Sequence, residues 1–510
     1  MTEQKYARGR NGQVALARPA IRLLAGAMLV ALSGCAVGPD FKKPEFPTPE
    51  RFTHQALTAA PAQAGASAFW QHFNDAQLST LVDQALTHNA DLRAAMARYD
   101  SANALLSESK FDYLPTLTMG AEAGRQKVSE DQSYGFPRSH ATYSAGIHAS
   151  WELDLFGRVR REVEGRRALV NASANDLAGM QVLIAAETAR SYMVLRGLQE
   201  RLRVVRENVS NQRQMLDLVD VRLKAGRGTE FDSTRAKAQY EITASREPAL
   251  EAGIAVVQHR LAVLTGRIPG TLKADLDAAR PLPALPAQID PDSPADVLRR
   301  RPDIAAAEER LHAATADIGV AKSALFPRLS FSGLLGYQAF HRDTMFHSGS
   351  QSNYGLLGID WSFLDVGRVR ARIAASSAEA RAGLAHYQQT VLQALEDTEN
   401  ALVRYSRTRS EDEMLARAAQ DSAQAAKLAR LRYQAGEIGL YELLDAERVL
   451  LEAQESFADS RTRSAVAAVS LYKAMAGGWP ERLPSTQATA AASGELKMAG
   501  AATVTQERHD

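Results

Sequence analysis

The sequence predicts an α+β membrane protein: a duplicated helix-hairpin-helix repeat, with four β-strands per protomer, that must oligomerise to close a barrel. Three observations predict it. First, the chain is written twice. Trp151-Glu-Leu-Asp-Leu-Phe-Gly157-Arg-Val-Arg160 returns 210 residues later as Trp361-Ser-Phe-Leu-Asp-Val-Gly367-Arg-Val-Arg370, and Lys224-Ala-Gly226 returns at the same offset as Gln434-Ala-Gly436. Leu114-Pro115 matches Phe326-Pro327, and Asp91-Leu-Arg-Ala-Ala95 matches Asp303-Ile-Ala-Ala-Ala307, both at an offset of 212. Second, each copy holds two segments of alternating apolar and polar residues. Third, each copy continues into a very long proline-free stretch, Arg158 to Lys224 and Val369 to Gln434.

The N-terminus sets the compartment. Lys5, Arg8, Arg10, Arg18 and Arg22 precede or flank the apolar run Leu23 to Leu32, which is too short to span a bilayer and fits a signal-peptide core. Leu32-Ser33-Gly34-Cys35 follows, and Cys35 is the single cysteine of the chain. Residues 1–34 read as a signal peptide, and Cys35 as the lipidated first residue of a bacterial lipoprotein. Acyl chains would anchor it at about 0.8 kcal/mol per buried methylene. Ala36, rather than an Asp, follows the cysteine; in the lipoproteins that this segment resembles, that favours outer-membrane sorting. No other cofactor is expected, and with one cysteine no internal disulfide can form. Residues 35–73 read as a lipidated, extended N-terminal segment.

The chain carries 60 basic and 59 acidic residues; loss of residues 1–34 removes five bases and one acid and leaves a net charge of −3. That balance gives no basis for nucleic-acid binding. No mature segment has the length and polarity of a membrane helix, so any crossing must use strands.

The first repeat is expected over 74–266, with strands at about 114–126 and 141–155. Leu117, Met119, Ala121 and Ala123 oppose Thr116, Thr118, Gly120, Glu122 and Gly124; Tyr143, Ala145, Ile147, Ala149, Trp151 and Leu153 oppose Ser144 to Asp154 on the even positions. The second repeat, 298–480, has strands at about 327–340 and 353–365, where Leu329, Phe331, Leu335 and Tyr337, then Leu357, Ile359, Trp361 and Phe363, line one face. Such period-two segments suit a membrane barrel, although a soluble sandwich gives the same alternation. Trp151 and Trp361 near the strand ends suit a membrane-interface belt, and the lipoprotein signal points the same way. Four strands cannot close a barrel, and open edges are not tolerated in lipid. Two protomers would give an eight-stranded barrel filled by its own side chains; three give twelve strands and an open conduit.

Beyond each hairpin the long stretch reads as helix. Leu195, Leu198, Leu202, Val205, Val209, Gln212, Leu216, Val219 and Leu223 alternate steps of three and four, a coiled-coil seam. Shorter helices are expected at about Asp75–Asp112, Gly228–Leu264, Pro302–Leu325 and Leu440–Met475. Asp154 and Asp365 stand where strand turns to helix and read as capping or junction residues. Gly226 and Gly228, like Gly436 and Gly439, predict tight helix-to-helix turns. Just after them Asp232 and Arg235, and Asp445 and Arg448 behind Tyr441, stand three apart on one helical face. As surface pairs they are worth at most about 1 kcal/mol, but around a narrow oligomeric opening they would make charged rings. Residues 267–297 read as a Pro-rich separator, part of which could pack as a belt, and 481–510 as a disordered tail.

Together these motifs resemble the TolC-like outer-membrane factors, in particular the efflux outer-membrane lipoprotein branch. The resemblance rests on Cys35-Ala-Val-Gly-Pro-Asp-Phe41, Arg299-Arg-Arg-Pro-Asp-Ile304 with Gly319-Val-Ala-Lys322, Phe326-Pro327 and Leu443-Leu-Asp-Ala-Glu-Arg448, within residues 30–480. It implies a homotrimer with a 12-stranded outer-membrane β-barrel and a long periplasmic α-helical coiled-coil barrel. It also implies a periplasmic adaptor and an inner-membrane pump, most often of the resistance-nodulation-division class. Asp445 and Arg448 match the family's periplasmic aperture motif; Tyr441 stands beside it, and Asp232 and Arg235 are assigned to the gate through the repeat. The function implied is passive export of small toxic compounds; the alternative is the exit duct of a type I protein-secretion system. No H-E-x-x-H or G-x-S-x-G pattern occurs, His341 and His347 fall in a predicted loop, and no enzyme is expected.

Overall fold

A computed structural model describes residues 36–54, 68–131, 137–286, 289 and 293–476. The expected signal peptide, Cys35 and the 481–510 tail lie outside the described residues. After a 3-10 turn at Phe69–Phe73, the elements in order are α1 (Ala76–His88), α2 (Ala90–Phe111), β1 (Thr116–Lys127), β2 (Ser139–Leu153), α3 (Arg158–Lys224), α4 (Glu230–Ala244), α5 (Arg246–Leu264), α6 (Lys273–Leu276), α7 (Pro294–Arg300), α8 (Pro302–Ser323), β3 (Arg328–Ala339), β4 (Gln351–Asp360), α9 (Val366–Ala435) and α10 (Leu440–Met475). No helix among the described residues is long and apolar enough to cross a membrane. The chain forms two compact units.

The first unit holds the described residues up to Glu45 together with Arg98–Ser173 and Ala307–Tyr387. Its centre is an antiparallel sheet in the order β1-β2-β3-β4, so the two hairpins of the repeat pair through β2 and β3. The edges β1 and β4 have no strand partner among the described residues. Large apolar side chains stand uncovered on one face, among them Leu117, Met119, Ile147, Leu335, Leu357 and Ile359. On the other face one register row runs Gly120, Gly146, Gly336, Ser352. A Cβ at Gly336 would lie 2.5 Å from the Ala145 carbonyl oxygen, so this row is where the strands crowd and the sheet can curl.

Prolines set the strand starts. Pro115 and Pro327 lack an N–H and stand just before β1 and β3. The first pair of β3 is Arg328 with Asp360, so β4 has no partner beyond Asp360 and stops there rather than at about 365. Phe363–Asp365 forms a 3-10 turn instead. Asp154 then caps α3: its carboxylate accepts from the Val159 and Arg160 backbone N–H groups at 3.1 and 3.0 Å.

The segment after Cys35 docks in this unit. The Val37 N–H donates to the Phe156 carbonyl at 3.1 Å, and Gly38, at φ +114°, lies against Gly319. Arg161, nearly buried, donates to Asp40 at 2.6 Å and to Glu164 at 2.8 Å. The Phe41 ring stacks on His312, with centroids 4.5 Å apart.

The second unit holds Phe46–Ala97, Ala174–Ala306 and the described residues from Gln388. Its core joins Phe69, Trp70 and Phe73 to Leu78, Tyr192, Leu195, Tyr405, Val469 and Tyr472. Leu272, Leu276, Leu282 and Ile289 are buried in the same core, so the stretch expected to separate the repeats also contributes packing. The stretch expected as one helix from Asp75 is two. Asn89 ends α1 and starts α2: its Oδ1 accepts from the Asp91 and Leu92 N–H groups, and its Nδ2 donates to the Leu264 carbonyl at the end of α5. Likewise α4 and α5 part at Ser245, because Pro248 has no N–H to continue the ladder. Burial pushes the Tyr192 phenol up to about 12; it stays protonated and donates to Asp75 at 2.8 Å. Arg301 of the Arg-Arg-Pro-Asp-Ile motif bonds the Ala394 and Ala474 carbonyls and the Asp303 and Asp397 carboxylates, fastening α8 to α9 and to the last turn of α10.

Gly197 lets α3 approach α10 closely. A Cβ there would lie 2.0 Å from Thr462 Oγ1 and 2.5 Å from its Cγ2. Alanine at an open helical site gains up to about 1 kcal/mol over glycine. Here the overlap reverses the sign, and Gly197→Ala is expected to destabilise by about 1–3 kcal/mol. Thermal unfolding in detergent checks it: Thr462→Gly should restore most of the lost midpoint, and purely additive effects would refute the overlap.

Candidate gate at the helix-to-helix turns

All residues of this site belong to the second unit. The two turns have one backbone. At the end of α3, Gly226 takes φ +70°, its N–H donates to the Leu223 carbonyl, and the Arg227 N–H donates to the Arg222 carbonyl. At the end of α9, Gly436 takes φ +77°, with matching bonds from Gly436 to Tyr433 and from Glu437 to Arg432. Both are Schellman turns, which need a left-handed residue and therefore glycine. Leu216, Val219, Ala236, Tyr433, Leu440, Leu443 and Leu444 form one buried cluster beside them.

The helices leaving the turns start differently. Thr229 caps α4: its Oγ1 accepts from the Asp232 N–H at 3.1 Å, and Asp232 Oδ2 accepts from the Thr229 N–H and hydroxyl. Gly439 starts α10 without a side-chain cap.

On α10 the residues Tyr441, Asp445, Arg448 and Glu452 follow steps of four, three and four, so they share one stripe. Arg448 donates to Asp445 Oδ1 at 2.7 Å and to Glu452 Oε1 at 3.0 Å. The bond to Asp445 is the main reason its guanidinium pKa is raised. The Asp445 and Arg448 side chains are about half exposed, at 47% and 48%, on the side away from the buried Leu440, Leu443, Leu444 and Leu451.

The structure does not bring Asp232 and Arg235 together as the sequence predicts. Asp232 is taken by the Thr229 cap, and the Arg235 guanidinium instead lies 4.4 Å over the Tyr441 ring. The common turn explains why. With Gly226 matched to Gly436, the repeat aligns Asp232 with Glu442 and Arg235 with Asp445. The two Asp-x-x-Arg pairs are therefore one helical turn out of register, and only the pair on α10 is an ion pair. Sequence reasoning missed Glu447, which is buried and accepts from Arg430 Nε at 2.8 Å, tying α9 to α10. Its signal was a charge at a core position of the stripe Leu443, Leu444, Glu447, Leu450, Leu451.

In the first unit, Trp151 and Trp361 make the same bond twice. The indole N–H of Trp151 donates to the Tyr113 carbonyl, and that of Trp361 to the Leu325 carbonyl, both at 3.1 Å. Each thus ties a strand end to the end of the preceding helix and leaves its ring beside the apolar face.

The family profile described as "Outer membrane efflux protein" matches residues 81–267 and 294–477, one stretch in each copy of the repeat. The chain is 30% identical over 473 residues to outer membrane protein OprJ of Pseudomonas aeruginosa, covering 91% of this chain and 97% of OprJ. It is 30% identical over 465 residues to toluene efflux pump outer membrane protein TtgF of Pseudomonas putida, covering 89% of this chain and 96% of TtgF. Among solved structures it is similar to the outer-membrane channel OprN, with a TM-score of 0.82, 38% identity, and coverage of 87% of this chain and all of that one.

Proposed function

Because the chain belongs to the outer membrane efflux protein family, we propose that three copies close a twelve-stranded barrel and act as the passive exit duct of a three-part efflux assembly. The chain is an outer-membrane efflux channel of TolC-like fold. The assembly, its gate and its anchor are the proposal. One observation carries the closure: a four-stranded sheet whose apolar face is uncovered and whose two edges are unpaired among the described residues. Lipid tolerates no such edges, so β1 of one protomer pairs with β4 of the next. Three protomers leave a lumen that two would fill with side chains.

In this assembly the energy comes from an inner-membrane pump of the resistance-nodulation-division class through a periplasmic adaptor. The chain itself carries no nucleotide-binding loop and a duct needs none. Cargo would be small toxic compounds delivered by the pump. Asp445, Arg448 and Tyr441, threefold repeated, hold the periplasmic opening narrow, with Arg235 steadying Tyr441 from α4. Acylated Cys35 adds an anchor, and Trp151 and Trp361 sit at the periplasmic interface of the outer membrane. The purified mature protein is expected to migrate as a heat-dissociable trimer and to give uniform conductance steps in planar bilayers. A monomer that yields no steps would overturn the closure.

A further inference from the structure

The odd positions of β1 carry its apolar face, Leu117, Met119, Ala121 and Ala123, and the same parity continues to Arg125 and Lys127. Both cations are exposed. Their cross-strand partners on β2 are Ala141 and Ser139, too short to cover them. Neither makes an ion pair among the described residues, and the hairpin residues 132–136 include no acid in sequence. At the matching positions of the second copy, 212 residues on, stand Tyr337 and Ala339, so the basic pair is not a requirement of the hairpin.

Their height follows from the register. One step below Arg125, Ala123 faces Tyr143, and eight residues farther along β2 stands Trp151. Eight residues span about 26 Å of strand, or about 20 Å along the membrane normal at a tilt of about 40°, near the height of a barrel's apolar band. Arg125 and Lys127 therefore emerge just beyond that band. They do so at the hairpin end of the sheet, whereas α2, α3, α8 and α9 adjoin its other end. With the helices periplasmic, the pair stands at the headgroup level of the outer leaflet.

We propose that Arg125 and Lys127 form a binding site for a phosphate of the outer leaflet's acylated glycolipid. Two residues apart on one face, the cations lie about 7 Å apart along the strand and can converge on one phosphate. The arginine contributes a bidentate fork and the lysine a point charge. The acyl chains of the same molecule would lie on Leu117, Met119 and Ile147 directly below. A free phosphate would use only the cations; a phosphorylated glycolipid uses both features. The inference rests on the outer-membrane placement of the barrel, which the conductance measurement above tests separately.

The test uses the full-length protein in phosphatidylcholine nanodiscs, titrated with diphosphorylated lipid A and read by native mass spectrometry. Wild type is expected to retain lipid A, and R125Q/K127Q to bind it about tenfold more weakly or worse. R125K/K127R should bind like wild type, and dephosphorylated lipid A as poorly as the neutral variant does. Should R125Q/K127Q fail to assemble, R125Y/K127A grafts the residues that the second copy carries in the same strand geometry. Equal retention by wild type and either neutral variant would overturn the site. So would equal binding of dephosphorylated lipid A, or full displacement by equimolar phosphatidylglycerol, which would reduce it to nonspecific anion attraction.

Discussion

Replacing Asp445 and Arg448 together by alanine is expected to raise the single-channel conductance several-fold in planar bilayers. The substitution removes the centre of the exposed ion triad on α10 and leaves its buried face, Leu443, Leu444 and Leu451, intact. Exposed pairs of this kind contribute little to a fold, so the trimer should survive. In the proposed trimer their leverage would come from threefold repetition around a narrow axis, where a constriction would dominate the resistance of the whole duct. The contribution should be electrostatic in part. In 1 M salt, where screening acts within about 3 Å, the wild type should move toward the variant. Asp232→Ala is the control that the structure supplies. It removes the Asp232 half of the capping box of α4, at a cost of up to about 1 kcal/mol, without touching the triad, and should leave conductance alone. If the double variant conducts like wild type, the aperture lies elsewhere.

The contrast between Asp232 and Asp445 also shows where the sequence stops being legible. In one dimension Asp232-x-x-Arg235 and Asp445-x-x-Arg448 look alike. Thr229, three residues before Asp232, is the local sign that this aspartate belongs to a capping box. The Arg235–Tyr441 contact has no local sign, because it joins helices of different repeats. Strand faces were readable because parity does not depend on partners, and strand starts because Pro115 and Pro327 announce them. The end of β4 was not, since apolar alternation runs on to Phe363 while its ladder partner ends at Arg328. The break at Asn89 lacks glycine or proline; only the bonds to Asp91, Leu92 and Leu264 explain it. The motifs that carry the family resemblance turn out to be fastenings rather than chemistry. Arg301 gathers four partners from three helices, and Gly38 meets Gly319 across 281 positions of sequence.

That last contact carries the other large effect. Gly38→Ala is expected to release the segment 36–44 from the first unit. Gly38 is in a backbone conformation, φ +114°, that L side chains rarely adopt, and a Cβ would lie 2.5 Å from Gly319 Cα, which is backbone and cannot swing away. Gly319→Val attacks the same contact from α8, where a Cβ would meet the Val37 carbonyl oxygen at 2.8 Å and Arg161 Cγ at 2.7 Å. Trypsin reads the release. Lys42 is exposed but sits beside the docked Phe41, whose ring lies on His312, and the Lys43–Pro44 bond resists the enzyme, so cleavage after Lys42 reports the segment alone. Docked chain must open locally before it is cut, so a loss of about 1.4 kcal/mol in docking quickens cleavage about tenfold, and crowding plus backbone strain should exceed that. Asp40→Ala should do less, because Arg161 keeps Glu164 and the Val37 carbonyl. Equal cleavage rates in wild type and Gly38→Ala would mean that the glycine pair does not hold the segment. If the rates rise, the docking is what fixes residue 36 beside Gly157, and with it the point from which the proposed acyl anchor on Cys35 would reach the membrane.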